Sequence, residues 1–132
     1  MGQRQLSLLD NLLSQIDSGL RTSFGNAPSP QRASPAVNHD EPELTDQQRE
    51  HAIGLMRVNH AGEICAQALY QGQALTAKLP EVGEQMKESA EEEIDHLAWC
   101  EQRIFELGGK TSALNPAWYA MSFALGAGAG LI

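Results

Sequence analysis

An all-α fold follows from three features of the sequence. Two long stretches repeat apolar positions every three or four residues, helix-capping and proline signals mark their ends, and no run shows the alternation of a strand. Two such helices joined by a tight turn are expected to lie antiparallel as a hairpin. A hairpin alone leaves both inner faces open, so two further helices are needed to complete a four-helix bundle.

Residues 1–24 form the first element. Leu9, Leu13, Ile16 and Leu20 fall at helical spacing, which reads as a short amphipathic helix. Packing on the body of the protein is its expected role, with a lipid surface as the second reading. Residues 25–44, GNAPSPQRASPAVNHDEPEL, hold four of the six prolines and read as a mobile linker. Residues 45–132 carry the main helical domain. Thr45 and Gln48 make a capping-box pattern, and Asp46 suits the positive helix end. Nothing interrupts the helix before Pro80, so it is expected to run about 35 residues, or roughly 50 Å. A second helix starts at Pro80 and stops at Gly108-Gly109. Asn115-Pro116 then signals a third, inside which the sequence stops.

With 132 residues there is room for one domain with its own core. A formal net charge of -8 excludes the basic footprint that nucleic acid requires and disfavours electrostatic attachment to anionic lipid. Cys65 and Cys100, with no CxxC pair, suit a reducing compartment. The N-terminus lacks a secretory pattern and a myristoylation pattern, so a cytosolic location is expected.

The segment AEEEIDHLAWC, residues 90–100, crowds acidic side chains beside a histidine. Periodicity sorts them. On the first long helix Ile53, Met56, His60, Glu63, Gln67, Tyr70 and Ala74 form an inward stripe, and on the second Val82, Met86, Ala90, Glu93, Leu97, Cys100, Ile104 and Leu107 do the same. Glu91 and Glu92 fall mostly off the stripe and read as solvated surface. Glu63 and Glu93 therefore lie among core positions near the middle of each helix, with His96 three residues on from Glu93 and on the same side. Ionised carboxylates in such positions are costly unless paired or bound to metal. Carboxylates with one imidazole suit iron or manganese, and a Glu three before a His in a bundle core is the ligand pattern of carboxylate-bridged di-iron proteins. A metal-free Glu–His hydrogen-bond network is the alternative. A complete dinuclear site requires one more Glu and one more E-x-x-H, and no histidine follows His96.

The runs LMRVNHAGEICAQALYQGQALTAKLPEV, residues 55–82, and EEEIDHLAWCEQRIFELGGKTSALNP carry a resemblance to the bacterial demethoxyubiquinone hydroxylases, the di-iron monooxygenases of ubiquinone biosynthesis. It covers the whole chain, which looks like the N-terminal part of such an enzyme. The resemblance implies a ferritin-like four-helix bundle, of which this chain holds the first hairpin and the start of the third helix. It implies two ferrous ions per complete site, O2 as co-substrate, NADH as reductant, and hydroxylation of a polyprenyl methoxy-methyl-benzoquinol. The implied metal ligands are Glu63, Glu93 (bridging both irons) and His96, with no catalytic residue beyond them. The implied location is the cytoplasmic face of the cell membrane, held peripherally. Its implied partners are the lipophilic quinol, the membrane surface and other ubiquinone-biosynthesis proteins. As a 132-residue chain it is also expected to pair with a second copy, two hairpins completing one bundle.

Weaker signals complete the reading. Tyr70 is a candidate for the substrate pocket, although a plain core position is the favoured reading. Thr111 to Ile132 carries no charge, and AWYAMSFALGAGAGLI is apolar enough to dip into a lipid surface but short for a span, with simple core packing as the other reading. Gly126 and Gly130 permit close helix contact. Cys65 and Cys100 read as packing residues. Two other functions remain open at this point: a ferritin-like metal-binding or storage protein, and a metal-free helical hairpin serving as a membrane or interaction module.

Overall fold

A computed structural model describes residues 6–24 and 27–132. The first five residues of the N-terminal element and Gly25-Asn26 of the linker lie outside the described residues. All regular structure among the described residues is helical: α1 (Leu8–Phe24), α2 (Asp46–Thr76), α3 (Pro80–Glu106) and α4 (Asn115–Gly130).

Each boundary has a local cause. At α1 the Ser7 hydroxyl accepts the Asp10 N–H at 3.1 Å, while the Asp10 carboxylate accepts the Ser7 N–H at 2.9 Å. The Thr45–Gln48 capping box at α2 is reciprocal in the same way, at 3.2 and 3.0 Å. α2 ends at Thr76, four residues before Pro80, because Ala77 leaves the helical region at ψ 128°. α3 starts on Pro80, whose missing N–H has no partner to lose, and stops where Gly108 takes φ 81°. Asn115 is the first helical residue of α4 rather than its cap, and its side chain is buried.

The pairings along α2 fix the topology. Ile53 meets Gly109, His60 meets Glu101, and Ala74 meets Gly83, so α2 and α3 run antiparallel as the hairpin the sequence predicts. α4 runs parallel to α2 along another side, with Leu69 against Gly126 and Gln73 against Gly130. Here the glycines matter. A Cβ on Gly126 would overlap the Leu69 carbonyl, and one on Gly72 would overlap the Phe123 carbonyl. The backbones touch, and the Thr76 hydroxyl donates across to the Ala127 carbonyl at 2.6 Å. The core between these helices holds Ile64, Ala68, Leu97 and Tyr119.

Two segments differ from expectation. Residues 27–44 are tied along α3 rather than free. Asp95 accepts the Gln31 N–H at 2.7 Å and pairs with the Arg32 guanidinium at 2.7 Å, Trp99 donates its indole N–H to the Arg32 carbonyl at 3.2 Å, and Arg103 pairs with Glu41 at 2.6 Å. α1 does pack on the body, against α2 and α4, but not by its apolar stripe. Its stripe faces solvent, with Leu9 62% and Ile16 51% exposed and Leu13 and Leu20 similar. The helix docks instead by Gln15, Ser18 and Gly19, because the Tyr119 ring lies where a side chain at Gly19 would be, 2.7 Å from its Cβ position. The charge-free α4 likewise keeps Met121 and Leu125 outside. No helix among the described residues is long and apolar enough to cross a membrane.

Candidate metal centre

The hairpin brings together the three residues that periodicity selects. Glu63, midway along α2, faces Glu93 and His96, midway along α3, and each offers a ligand atom within 4.8 Å of the others. His96 Nδ1 lies 2.9 Å from Glu93 Oε2 and 3.9 Å from Glu63 Oε2. The i,i+3 spacing makes the Glu93–His96 contact, and the antiparallel register supplies Glu63.

Electrostatics separate the two carboxylates. Partial burial, and then the neighbouring Glu93, push the Glu63 carboxyl up to about 7. The hydrogen bond from Glu63 and the contact with His96 hold Glu93 below the usual carboxylate range, with burial opposing. Two carboxylates whose affinities for a proton are pushed apart in this way are expected where a cation would otherwise balance them. Burial and the charge of Glu63 keep the nearby Cys100 thiol protonated. It is half-buried, free and no part of the ligand cluster.

The donor set fits a hard divalent cation. Two carboxylates and one imidazole converge from two rigid helices, with a partly open side on which Glu63 is 26% and His96 43% exposed. Bound water or further ligands have room to complete the coordination shell there.

Other expected residues lie elsewhere. Tyr70 is half-buried and lines neither the cavity between α1, α2 and α3 nor the one between residues 27–30 and α3. Asp95, three residues along the same acidic run as Glu92, is buried under the 27–44 segment rather than aimed at the cluster. Sequence reasoning also missed a buried pair one turn away. His60 is 2% exposed, its ring nitrogens lack hydrogen-bond partners, and its Nε2 stands 3.7 Å from Glu101 on α3. Burial lowers the His60 pKa and raises that of Glu101, whose carboxylate also accepts the Ala27 N–H at 3.1 Å. Glu101 sits four residues after Leu97 and three before Ile104, both core positions, which is the signal that marks it.

A Glu on one helix facing a Glu-x-x-His on its antiparallel neighbour defines half of a carboxylate-ligated di-iron bundle. Residues 50–132 match the family described as ubiquinone biosynthesis protein COQ7, and the chain belongs to that family. Proteins named 3-demethoxyubiquinol 3-hydroxylase are similar throughout. Those of Stutzerimonas stutzeri (strain A1501) and Pseudomonas syringae pv. syringae (strain B728a) are 58% identical over 130 residues. That of Pseudomonas aeruginosa (strain LESB58) is 58% identical over 129 residues. Each alignment covers 98% of this chain and 60% of the relative, so the chain spans about three-fifths of the length of the curated relatives it matches. No solved structure matches it.

Proposed function

We propose that this chain supplies half of the di-iron centre of an O2-dependent hydroxylase acting on a polyprenyl methoxy-methyl-benzoquinol in ubiquinone biosynthesis. The observation that carries this reading is the convergence of Glu63, Glu93 and His96 from the middle of two packed helices. The relatives' name, 3-demethoxyubiquinol 3-hydroxylase, suggests the reaction, and NADH is the proposed source of electrons.

Glu63 and Glu93 would hold iron through carboxylate oxygens, and His96 through an imidazole nitrogen. Bound iron supplies the oxygen chemistry that amino-acid side chains lack. The chain's own tasks are positional. The α2–α3 register fixes the ligand separation, Glu63 gives up its proton when a cation enters, and α4 packs closely on α2 from another side. The second Glu and E-x-x-H must come from helices other than α2 and α3, and a second copy of this hairpin offers the same residue types.

A peripheral position on the cytoplasmic face of the membrane fits the outward apolar stripe of α1 and the uncharged outer face of α4. A storage protein has no use for such faces. The test is product formation from the quinol with isotopically labelled O2, NADH and ferrous iron. One labelled oxygen should enter the ring with wild type and none with Glu93→Ala. Equal labelling by both variants would contradict the proposal.

A further inference from the structure

We propose that the open cavity lined by α1, α2 and α3 binds a neutral dihydroxylated aromatic ring through Gln15 and Gln67. This rests on the quinol reading above and gives that substrate's head group a place one helical turn from the metal ligands.

The cavity has a volume of about 410 Å³. Gln67, on α2 four residues beyond Glu63, is only 5% exposed, and its side-chain carbonyl has no hydrogen-bond partner. The side-chain carbonyl of Gln15, on α1, is buried and unpartnered as well. Both residues line the cavity. Buried amide groups are normally paired, so two open acceptors on one cavity call for an occupant that carries two donors. The rest of the wall narrows the class. Leu75, Ala90 and Ile94 supply apolar surface, whereas Ser18 adds a hydroxyl beside Gln15. Apolar walls with a few fixed polar groups suit a flat ring that is polar only at its edges. Lys87 and Glu91 stand exposed at the margin with opposite charge, so the cavity selects neither anion nor cation.

The same reading explains the unusual posture of α1. A helix with an apolar stripe ordinarily buries it. This one turns Asn11, Gln15 and Ser18 toward the body, where they form the polar side of the cavity. The second cavity, between residues 27–30 and α3, differs because Glu101, the buried acid on its wall, is already bonded to Ala27.

The test is titration of the isotope-labelled full chain with methoxyhydroquinone under argon, followed by amide NMR, with and without ferrous iron. Saturable shifts are expected at Gln15, Ser18, Gln67 and Ala74. Trimethoxybenzene, a similar ring without donors, should bind at least about tenfold more weakly, equivalent to about 1.4 kcal/mol. Gln67→Leu and, independently, Gln15→Leu should each weaken methoxyhydroquinone by about tenfold with the helical signal retained. Absence of shifts at these residues, or equal affinity for the two rings, would mean that the cavity holds water only and would overturn the proposal. The metal reading fails separately. Iron bound without ring binding removes this site alone, whereas ring binding in a chain that takes no iron supports this site and removes the metal centre.

Discussion

Glu63 on α2 faces Glu93 on α3 across the hairpin, with His96 Nδ1 2.9 Å from Glu93. Glu63 is the carboxyl that holds a proton below about pH 7, because burial and the facing Glu93, itself committed to His96, raise it. A cation entering the cluster must displace that proton. Cation binding should therefore release about one proton per chain near pH 6 and far less near pH 8, once Glu63 has ionised. Calorimetry in buffers of different ionisation enthalpy measures this directly. Equal release at both pH values would show that Glu63 is not the proton donor.

The same shift predicts a stability profile for the metal-free chain. The folded-state pKa of Glu63, about 7, lies above its ordinary value of 4.5. Its contribution is thus fully present below pH 4.5 and is lost as pH rises through about 7. Glu63→Gln keeps the shape and cannot ionise. It should leave Tm unchanged near pH 5 and raise it by about 2–4 °C near pH 8. Thermal melts followed by circular dichroism at the two pH values decide the matter.

The backbone contact between α2 and α4 gives a packing prediction. Gly126→Val places a side chain into the Leu69 carbonyl and should cost about 1–3 kcal/mol or more in urea unfolding. Gly128 on the same helix has open space around its Cβ position, so Gly128→Ala should stabilise by about 0.5–1 kcal/mol through helix propensity. Similar effects from both substitutions would show that α4 does not rest on α2 as described.

Asp95 anchors residues 31 and 32 of the 27–44 segment. Arg32 and the Gln31 N–H hold the Asp95 carboxyl below the usual range. Their bond is therefore present above about pH 4 and lost as pH falls through the lowered value. Asp95→Ala should speed amide exchange at Gln31 and open the Arg32–Ala33 bond to trypsin, while exchange at Ile64 and Ala68 stays slow. Unchanged protection at Gln31 would assign the hold to other contacts, such as Arg103–Glu41.

The contrast between these regions shows what periodic patterns can and cannot convey. Helical spacing finds Glu63, Glu93 and His96 because each lies on an inward stripe whose register the turn before Pro80 fixes. Gly126 and Gly130 are legible for another reason, the small-xxx-small spacing that permits close helix contact. Asp95 escapes it, since its partners Gln31 and Arg32 lie more than 60 positions away in a segment with no periodicity. The stripe on α1 misleads for a different reason. Leu9, Leu13, Ile16 and Leu20 mark an apolar face truly, but nothing in their spacing says whether protein or another phase covers it. The contact that decides the helix's orientation, Gly19 beneath Tyr119, joins residues a hundred positions apart in sequence.

Iron content after anaerobic loading, compared between wild type and Glu93→Ala, tests the central claim most directly. About one ferrous ion per wild-type chain, absent from Glu93→Ala, is the result expected of one carboxylate plus one Glu-x-x-His. No bound iron in wild type, or equal iron in both chains, would show that Glu63, Glu93 and His96 are a buried hydrogen-bond network and not a metal centre.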